Sequence, residues 1–442
     1  MKKAMSLLLA GTLAAGLCAC GAPAENNTAD TKEAAAEGAQ AVEAKEVTFT
    51  PRLDTEQTAT LEISGFMGNF EALDQVMNAF NEIYPNVTFY YDHNSAFMLP
   101  QYLENNGGND IFMANDQNIK QGDADYDVQD WCLDLAGEDI NTDAVWPEAI
   151  QDCTVDGKLL RLPVAMNPCG IVVNKTLLKK EGLSVPQNYE EFLSVLAALK
   201  EKGYVPLQGS EQHLYGELMV NMAMNVLNET DGAVEALQAG EDSAVETILP
   251  VFEKLQTIID NGYTDYDLNC TYPVDNYDGS ILAFFEGDMP FYVCNSECVS
   301  GMKKRESKSE TYSAAPFEYE FVYAPLGENG VYVYMEPWYG FCVNKNSDEK
   351  DLAVEFLRFM MTTEQLDSMG SNKGMPSAVV NGANERYAGI TEIKNLEASF
   401  SNDGSIPGAI RTAFVQVCND FGAGVYADAE AAAKAFVEQC AE

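Results

Sequence analysis

From Ala59 the chain alternates apolar and polar positions, with Ala59, Leu61 and Ile63 on one face, which predicts a strand. Gly65-Phe66-Met67-Gly68-Asn69 breaks the pattern, and the period then changes. Apolar residues fall at Leu73, Val76, Met77, Phe80, Ile83 and Tyr84, the spacing of one buried helix face, and Pro85 ends it. Val87-Thr88-Phe89-Tyr90-Tyr91 is β-branched and aromatic and predicts a second strand. A short helix around Leu99–Leu103 leads to a third strand, Asp110-Ile111-Phe112-Met113. Strand, helix, strand, helix, strand predicts parallel crossovers in an α/β sheet. Ligands of such sheets sit beyond the carboxyl ends of the strands, here Phe66–Phe70 and Asn115–Gln117.

Later stretches keep this style. Tyr189, Phe192, Leu193, Leu196 and Leu199 predict a helix after Pro186, and residues 213–228 and 246–260 also read as helical. Ile281–Phe285 is assigned to helix, and Leu352, Ala353, Phe356, Leu357 and Met360 mark another amphipathic one. These stripes are read as core packing. Trp131 and Trp146, around Leu133-Asp134-Leu135, are read as structural.

The start of the chain has a different pattern. Lys2 and Lys3 precede an apolar stretch, Ala4 to Leu17, of signal-peptide length and too short to span a membrane. The run ends Leu17-Cys18-Ala19-Cys20-Gly21, which resembles a bacterial lipobox with Cys20 as the lipidated residue. Residues 1–19 are then a signal peptide. Residues 20–57 carry few large apolar groups and are expected to form a flexible linker behind the lipid. Stable anchoring takes more than one acyl chain, which a diacylglycerol would supply.

About 385 residues follow that linker, too many for one hydrophobic core, so two domains are expected. The formal charge of −43 argues against nucleic acid and against an anionic membrane surface, leaving the lipid as the membrane contact. Nine cysteines follow Cys20 at scattered spacings, without zinc or redox signatures, and are read as small buried hydrophobes. Asp123, Asp125, Asp127 and Asp134 are spaced like a calcium loop, but the loop's glycine is missing and its last residue is Asp rather than Glu. No metal and no cofactor is expected.

Two function classes compete. A surface glycoside hydrolase would need a carboxylate pair, but 69 acids make some pair inevitable, and neither G-x-S-x-G nor H-E-x-x-H occurs. His93 and His213 are the only histidines, which limits histidine catalysis. A binding protein is the favoured class, and no enzymatic activity is expected.

Several local patterns carry a resemblance, in order: Val155-Asp156-Gly157-Lys158 through Leu162-Pro163-Val164; Gly170-Ile171-Val172-Val173-Asn174-Lys175; Gly182-Leu183 to Pro186 with Glu190-Glu191-Phe192; Phe284-Phe285-Glu286-Gly287-Asp288-Met289-Pro290; Phe341-Cys342-Val343-Asn344-Lys345 with Glu349–Met361; and Gly374-Met375-Pro376. Behind a lipobox, this series resembles the family 1 extracellular solute-binding proteins, the sugar-binding components of ABC importers. The resemblance covers roughly residues 58–440.

It implies a type II periplasmic-binding-protein-like fold, with two α/β lobes joined by a hinge and a ligand cleft between them. Lobe 1 would be 58–165 plus 335–375, and lobe 2 would be 166–325 plus 376–442, with crossings near 163–168, 323–335 and 375. It implies a monomer that delivers a sugar or oligosaccharide to ABC permease subunits, held by lipid on the outer face of the cell membrane of a bacterium without an outer membrane. A polyamine, a peptide or another small solute remains the alternative ligand, and presentation to a sensor kinase is not separable from transport. A sugar site wants aromatic platforms with carboxylates and amides. The candidates are Phe66 and Asn69 after the first strand, Asn115 and Asp116 after the third, Met166 and Asn167 at the first crossing, Tyr215 beside His213, Asn295 and Glu297, and Glu336, Trp338 and Tyr339.

Overall fold

The computed structural model describes residues 45–441 apart from 68–69, 95–97, 107–108, 116–117, 120–127, 211–213, 273–277, 381, 383–386, 392 and 403–404. The signal peptide, Cys20, the linker as far as residue 44, Asn69, Asp116, Gln117, His213 and Asp123–Asp127 therefore lie outside the described residues.

Two sheets organise the α/β fold. The first runs β2 (Val87–His93), β1 (Ala59–Gly65), β3 (Ile111–Ala114), β12 (Gly340–Val343) and β6 (Leu162–Pro163). β1 is parallel to β2 and β3, as the alternation of strand and helix predicts, while β12 lies antiparallel to β3 and β6. Leu61 and Ile63 face inward and are fully buried. Helix Glu71–Asn81 covers them with Leu73, Val76 and Phe80, the face its spacing predicts.

The second sheet runs β10 (Tyr319–Val322), β7 (Cys169–Asn174), β9 (Phe291–Asn295) and β8 (Leu207–Gln208). All six residues of β7 are buried, which is why that strand reads as a continuous apolar run rather than an alternation. Asn174 at its end accepts from the Leu177 N–H and caps helix Lys175–Lys180. Helices Tyr215–Glu229, Asp242–Asp260, Gly408–Gly422 and Ala429–Ala441 contribute to a separate core around this sheet. Two small ladders complete the strands, β11 (Val331–Met335) parallel to β13 (Leu396–Ser401), and the hairpin β4 (Thr154–Val155) to β5 (Lys158–Leu159). Asp156 and Gly157 turn that hairpin with φ of 50° and 76°, the doubly positive turn that Asp-Gly favours.

The stretch expected to be linker up to residue 57 is packed from Val47 onward. The Val47 N–H donates to Thr363 Oγ1 and the Val47 carbonyl accepts from the Thr363 N–H, and the Phe49 ring lies edge-on to Phe359 at 5.2 Å. The Arg52 N–H donates to the buried Glu355 carboxylate, which also accepts from Tyr84. The signal was the short alternation of Val47 and Phe49, masked in composition by the polar residues around it.

Candidate functional site

Three chain segments meet between the two sheets. The Met166 N–H donates to the Pro376 carbonyl at 2.9 Å, and the Asn167 N–H donates to the Glu336 carbonyl at 2.8 Å. The Trp338 N–H donates to the Ala165 carbonyl at 2.8 Å. Segment 165–167 is thus hydrogen-bonded on one side to 336–338 and on the other to 376–377. The side chains around this crossing come from loops, helices and strand ends beside both sheets.

On the first-sheet side the groups are aromatic. Phe66, at the end of β1, meets Tyr339 edge-on with ring centres 5.0 Å apart, and Tyr339 lies 4.9 Å from Trp338. Trp338 is almost fully buried and packs edge-on to Phe70. Its indole N–H is buried and has no hydrogen-bond partner among the described residues. Lys373, the last residue of helix Thr363–Lys373, places Nζ 4.9 Å from the Trp338 ring centre and 4.0 Å from Met67 Sδ. Gly374 follows as a left-handed cap with φ of 73°, turning the chain from this helix toward the crossing at Pro376. Burial pulls the Lys373 ammonium's pKa down, opposed by the Glu297 carboxylate. Burial and the same Glu297 charge push the Tyr339 hydroxyl up to about 12, so it stays protonated. Glu297 therefore acts on both groups from the second-sheet side.

That second side is polar and internally bonded. Asn295 ends β9 and caps helix Ser296–Ser300 by accepting from the Cys298 N–H, while its amide donates to Glu217 at 3.0 Å. The Asn167 side-chain oxygen accepts from Ser296 Oγ at 3.0 Å and from the Glu297 N–H at 3.1 Å, tying the first crossing to the same helix start. Glu336 pairs with Arg411 at 3.1 Å, each side chain about a quarter exposed. Burial works against the Arg411 charge, but Glu336, Cys169, Tyr334 and Glu217 outweigh it and raise the pKa. Arg411 Nη2 also lies 3.8 Å from Cys169 Sγ.

Comparison with known proteins decides the family. The profile of the bacterial extracellular solute-binding proteins matches residues 75–385. The chain belongs to that family. Among solved structures, apo RafE from Streptococcus pneumoniae superposes with a TM-score of 0.67 at 18% identity, over 89% of this chain and 100% of that one. A sugar transporter from Bacillus licheniformis, solved with stachyose, gives 0.60 at 16% identity, over 86% of this chain and 98% of that one. A family 1 extracellular solute-binding protein from Bifidobacterium longum subsp. infantis gives 0.64 at 18% identity, over 86% and 98%. At these identities the likeness concerns the fold. A search of curated proteins finds no match.

Within this solute-binding fold the sequence-predicted residues separate. Phe66, Met166, Asn167, Asn295, Glu297, Glu336, Trp338 and Tyr339 all lie at or beside the crossing. Met166 contributes backbone only, its side chain being buried in the first core. Asn115 exchanges side-chain to backbone bonds with Asn118, the geometry of a cap. Tyr215 is a correction: its ring is buried in the second core against Tyr266, with its hydroxyl 3.4 Å from Thr264 Oγ1. It starts a helix whose inward face includes it, so its place beside a polar loop was misleading. Sequence reasoning did not name Lys373, Glu217 or Arg411, and took in Met67 only as part of the Phe66–Phe70 stretch beyond β1. Lys373 stands directly before the Gly374-Met375-Pro376 pattern and was legible there. Glu217 was detectable as the first of three polar residues, with Asn221 and Asn225, spaced along one face of an otherwise apolar helix.

Proposed function

We propose that this protein captures a carbohydrate, a sugar or oligosaccharide, between its two lobes and delivers it to the permease subunits of an ABC importer. The observation that carries this reading is the group of Phe66, Tyr339 and Trp338 rings at the chain crossing, with Glu297 acting across them. Aromatic faces take the C–H side of a sugar, and carboxylate and amide groups take its hydroxyl rim. Asn167, Asn295 and Glu336 supply the polar side. The raffinose complex of RafE and the chitin oligosaccharide binding protein, both of similar fold, support a carbohydrate ligand.

The lobes divide as 58–165 with 335–375, and 166–325 with 376–442, and close about the crossings by hinge motion. The ligand is bound and released without covalent chemistry, by a monomer. Cys20 carries the lipid on the outer face of the cell membrane, and the tether raises the effective concentration of binder near the permease.

Thermal shift against a panel of neutral oligosaccharides and polyamines tests the ligand class. Stabilisation by an oligosaccharide is expected; stabilisation by a polyamine and by no sugar would overturn it. Turnover of a glycan by the purified protein would overturn the binding assignment. Detergent-phase partitioning of the full chain, lost in Cys20→Ala, tests the anchor.

A further inference from the structure

Lys373 differs from the other buried or half-buried cations beside the two cores. Arg161 pairs with Asp152 at 3.4 Å, Arg358 with Glu355 at 2.5 Å, Arg411 with Glu336 at 3.1 Å, and Arg305 with Asp278. Each has a carboxylate in direct contact, as a desolvated charge requires. Among the described residues Lys373 forms no ion pair, and its ammonium touches the Trp338 ring and the Met67 sulfur. The contrast is sharp because acids outnumber bases 69 to 26 in this chain. Lys254, over the Tyr189 ring, also has no contacting acid among the described residues, but it lies on helix Asp242–Asp260, away from the crossing. Lys373 lies at the crossing itself, beside the Phe66, Trp338 and Tyr339 rings.

A cation over an indole face gains some attraction from the ring. That does not replace a counter-charge. Glu297 acts on Lys373 through space but does not reach ion-pair contact, and it faces Tyr339 as well. The second cation of the site, Arg411, is already neutralised by Glu336.

We propose that Lys373 is a specificity-determining residue that pairs with an anionic group on the ligand, so that the carbohydrate bound is an acidic one bearing a carboxylate, of the uronate class. This rests on the carbohydrate reading above. The aromatic rings take the apolar face of the sugar, Lys373 takes the carboxylate, and Glu297 from the other lobe accepts from hydroxyls on the same or the next ring. A methyl ester of the same sugar keeps its shape and loses the charge.

The test is calorimetric titration of the full chain with di- to tetrasaccharide uronates, each matched by its methyl ester and by a neutral hexose oligomer of the same length. At least a tenfold preference for the free acid over its ester is expected. That preference disappears in Lys373→Met and persists in Lys373→Arg, which keeps the charge and guards against a folding artefact. Equal affinity for acid and ester, or a preference that survives Lys373→Met, overturns the role of Lys373. Binding of neutral oligomers alone overturns the acidic ligand and leaves the carbohydrate reading standing. Binding of no saccharide overturns both.

Discussion

The two sides of the crossing are built by different physics. On the first-sheet side, rings hold rings: Trp338 is anchored between Phe70 and Tyr339, and Phe66 meets Tyr339 edge-on. Few of these groups spend their hydrogen-bonding capacity. On the second-sheet side nearly every polar group named is already bonded, Asn295 to Glu217, Asn167 to Ser296 and Glu297, and Glu336 to Arg411. A side organised by packing is expected to fail when volume is removed. A side organised by pairing is expected to fail when one partner is removed, because the other is left desolvated. The first side is held by ring contacts, while the second holds polar groups whose positions are fixed by their hydrogen bonds.

The largest effect expected follows from volume. Trp338→Ala removes a buried indole from the first core and costs about 3–5 kcal/mol. It also removes the ring beneath Lys373. Urea unfolding reads the stability and ligand titration reads the site. Trp338→Phe, which refills most of the space, is expected to recover most of the stability. A loss under about 1 kcal/mol for the alanine variant, far below the cost of a buried aromatic deletion, would show that packing does not hold this side.

The same contrast explains what could be read from the sequence. Strand β1, the helix after it, and strands β2 and β3 are legible because periods of two and of 3.6 are local properties. Packing of β1 and its helix follows from them, and Phe66 is named from its place beyond β1, whereas Trp338 and Tyr339 are named from their place before the Phe341 segment that carries the family resemblance. The second side depends on bonds between residues far apart in the chain, such as Asn295 with Glu217 and Glu336 with Arg411. No local period reports such a pair. Tyr215 illustrates the failure in the other direction, since an aromatic beside a polar loop looks exposed until the helix it starts is seen to be buried. The early packing of Val47 and Phe49 escaped for a related reason: two apolar residues in a polar stretch are too few to register as a strand or helix.

A middle-sized effect tests pairing directly. Glu336→Gln keeps the shape and removes the charge opposite Arg411. Breaking a fully buried pair costs about 3–5 kcal/mol, but both side chains remain about a quarter exposed. Solvent screening reduces the expectation to about 1–3 kcal/mol. Replacing both partners, Glu336→Gln with Arg411→Met, is expected to cost less than the sum of the single changes, as a double-mutant cycle would measure. Additive costs would mean that the pair is not a unit.

The smallest effect separates two roles of a single side chain. Asn295 accepts from the Cys298 N–H through its oxygen and donates to Glu217 through its nitrogen. Asn295→Ala loses both, and the cap alone is worth about 1 kcal/mol. Asn295→Asp keeps an oxygen for the cap but puts a second carboxylate against Glu217, which is buried. If capping dominates, the aspartate variant is close to the natural protein in thermal unfolding and the alanine variant is not. If the Glu217 bond dominates, the aspartate variant is the less stable of the two, because like charges at hydrogen-bond distance in a desolvated site repel. The second order is expected, since the helix being capped is only five residues long and Glu217 leads a stripe of buried polar groups, with Asn221 donating to the Cys169 carbonyl and Asn225 to the Val333 carbonyl. Moving Glu217 would disturb the start of that stripe, so the cost of Asn295→Asp is expected to reach beyond the helix cap to β7 and β11. Hydrogen exchange at those two strands, faster in Asn295→Asp than in Asn295→Ala, is the measurement that would establish it.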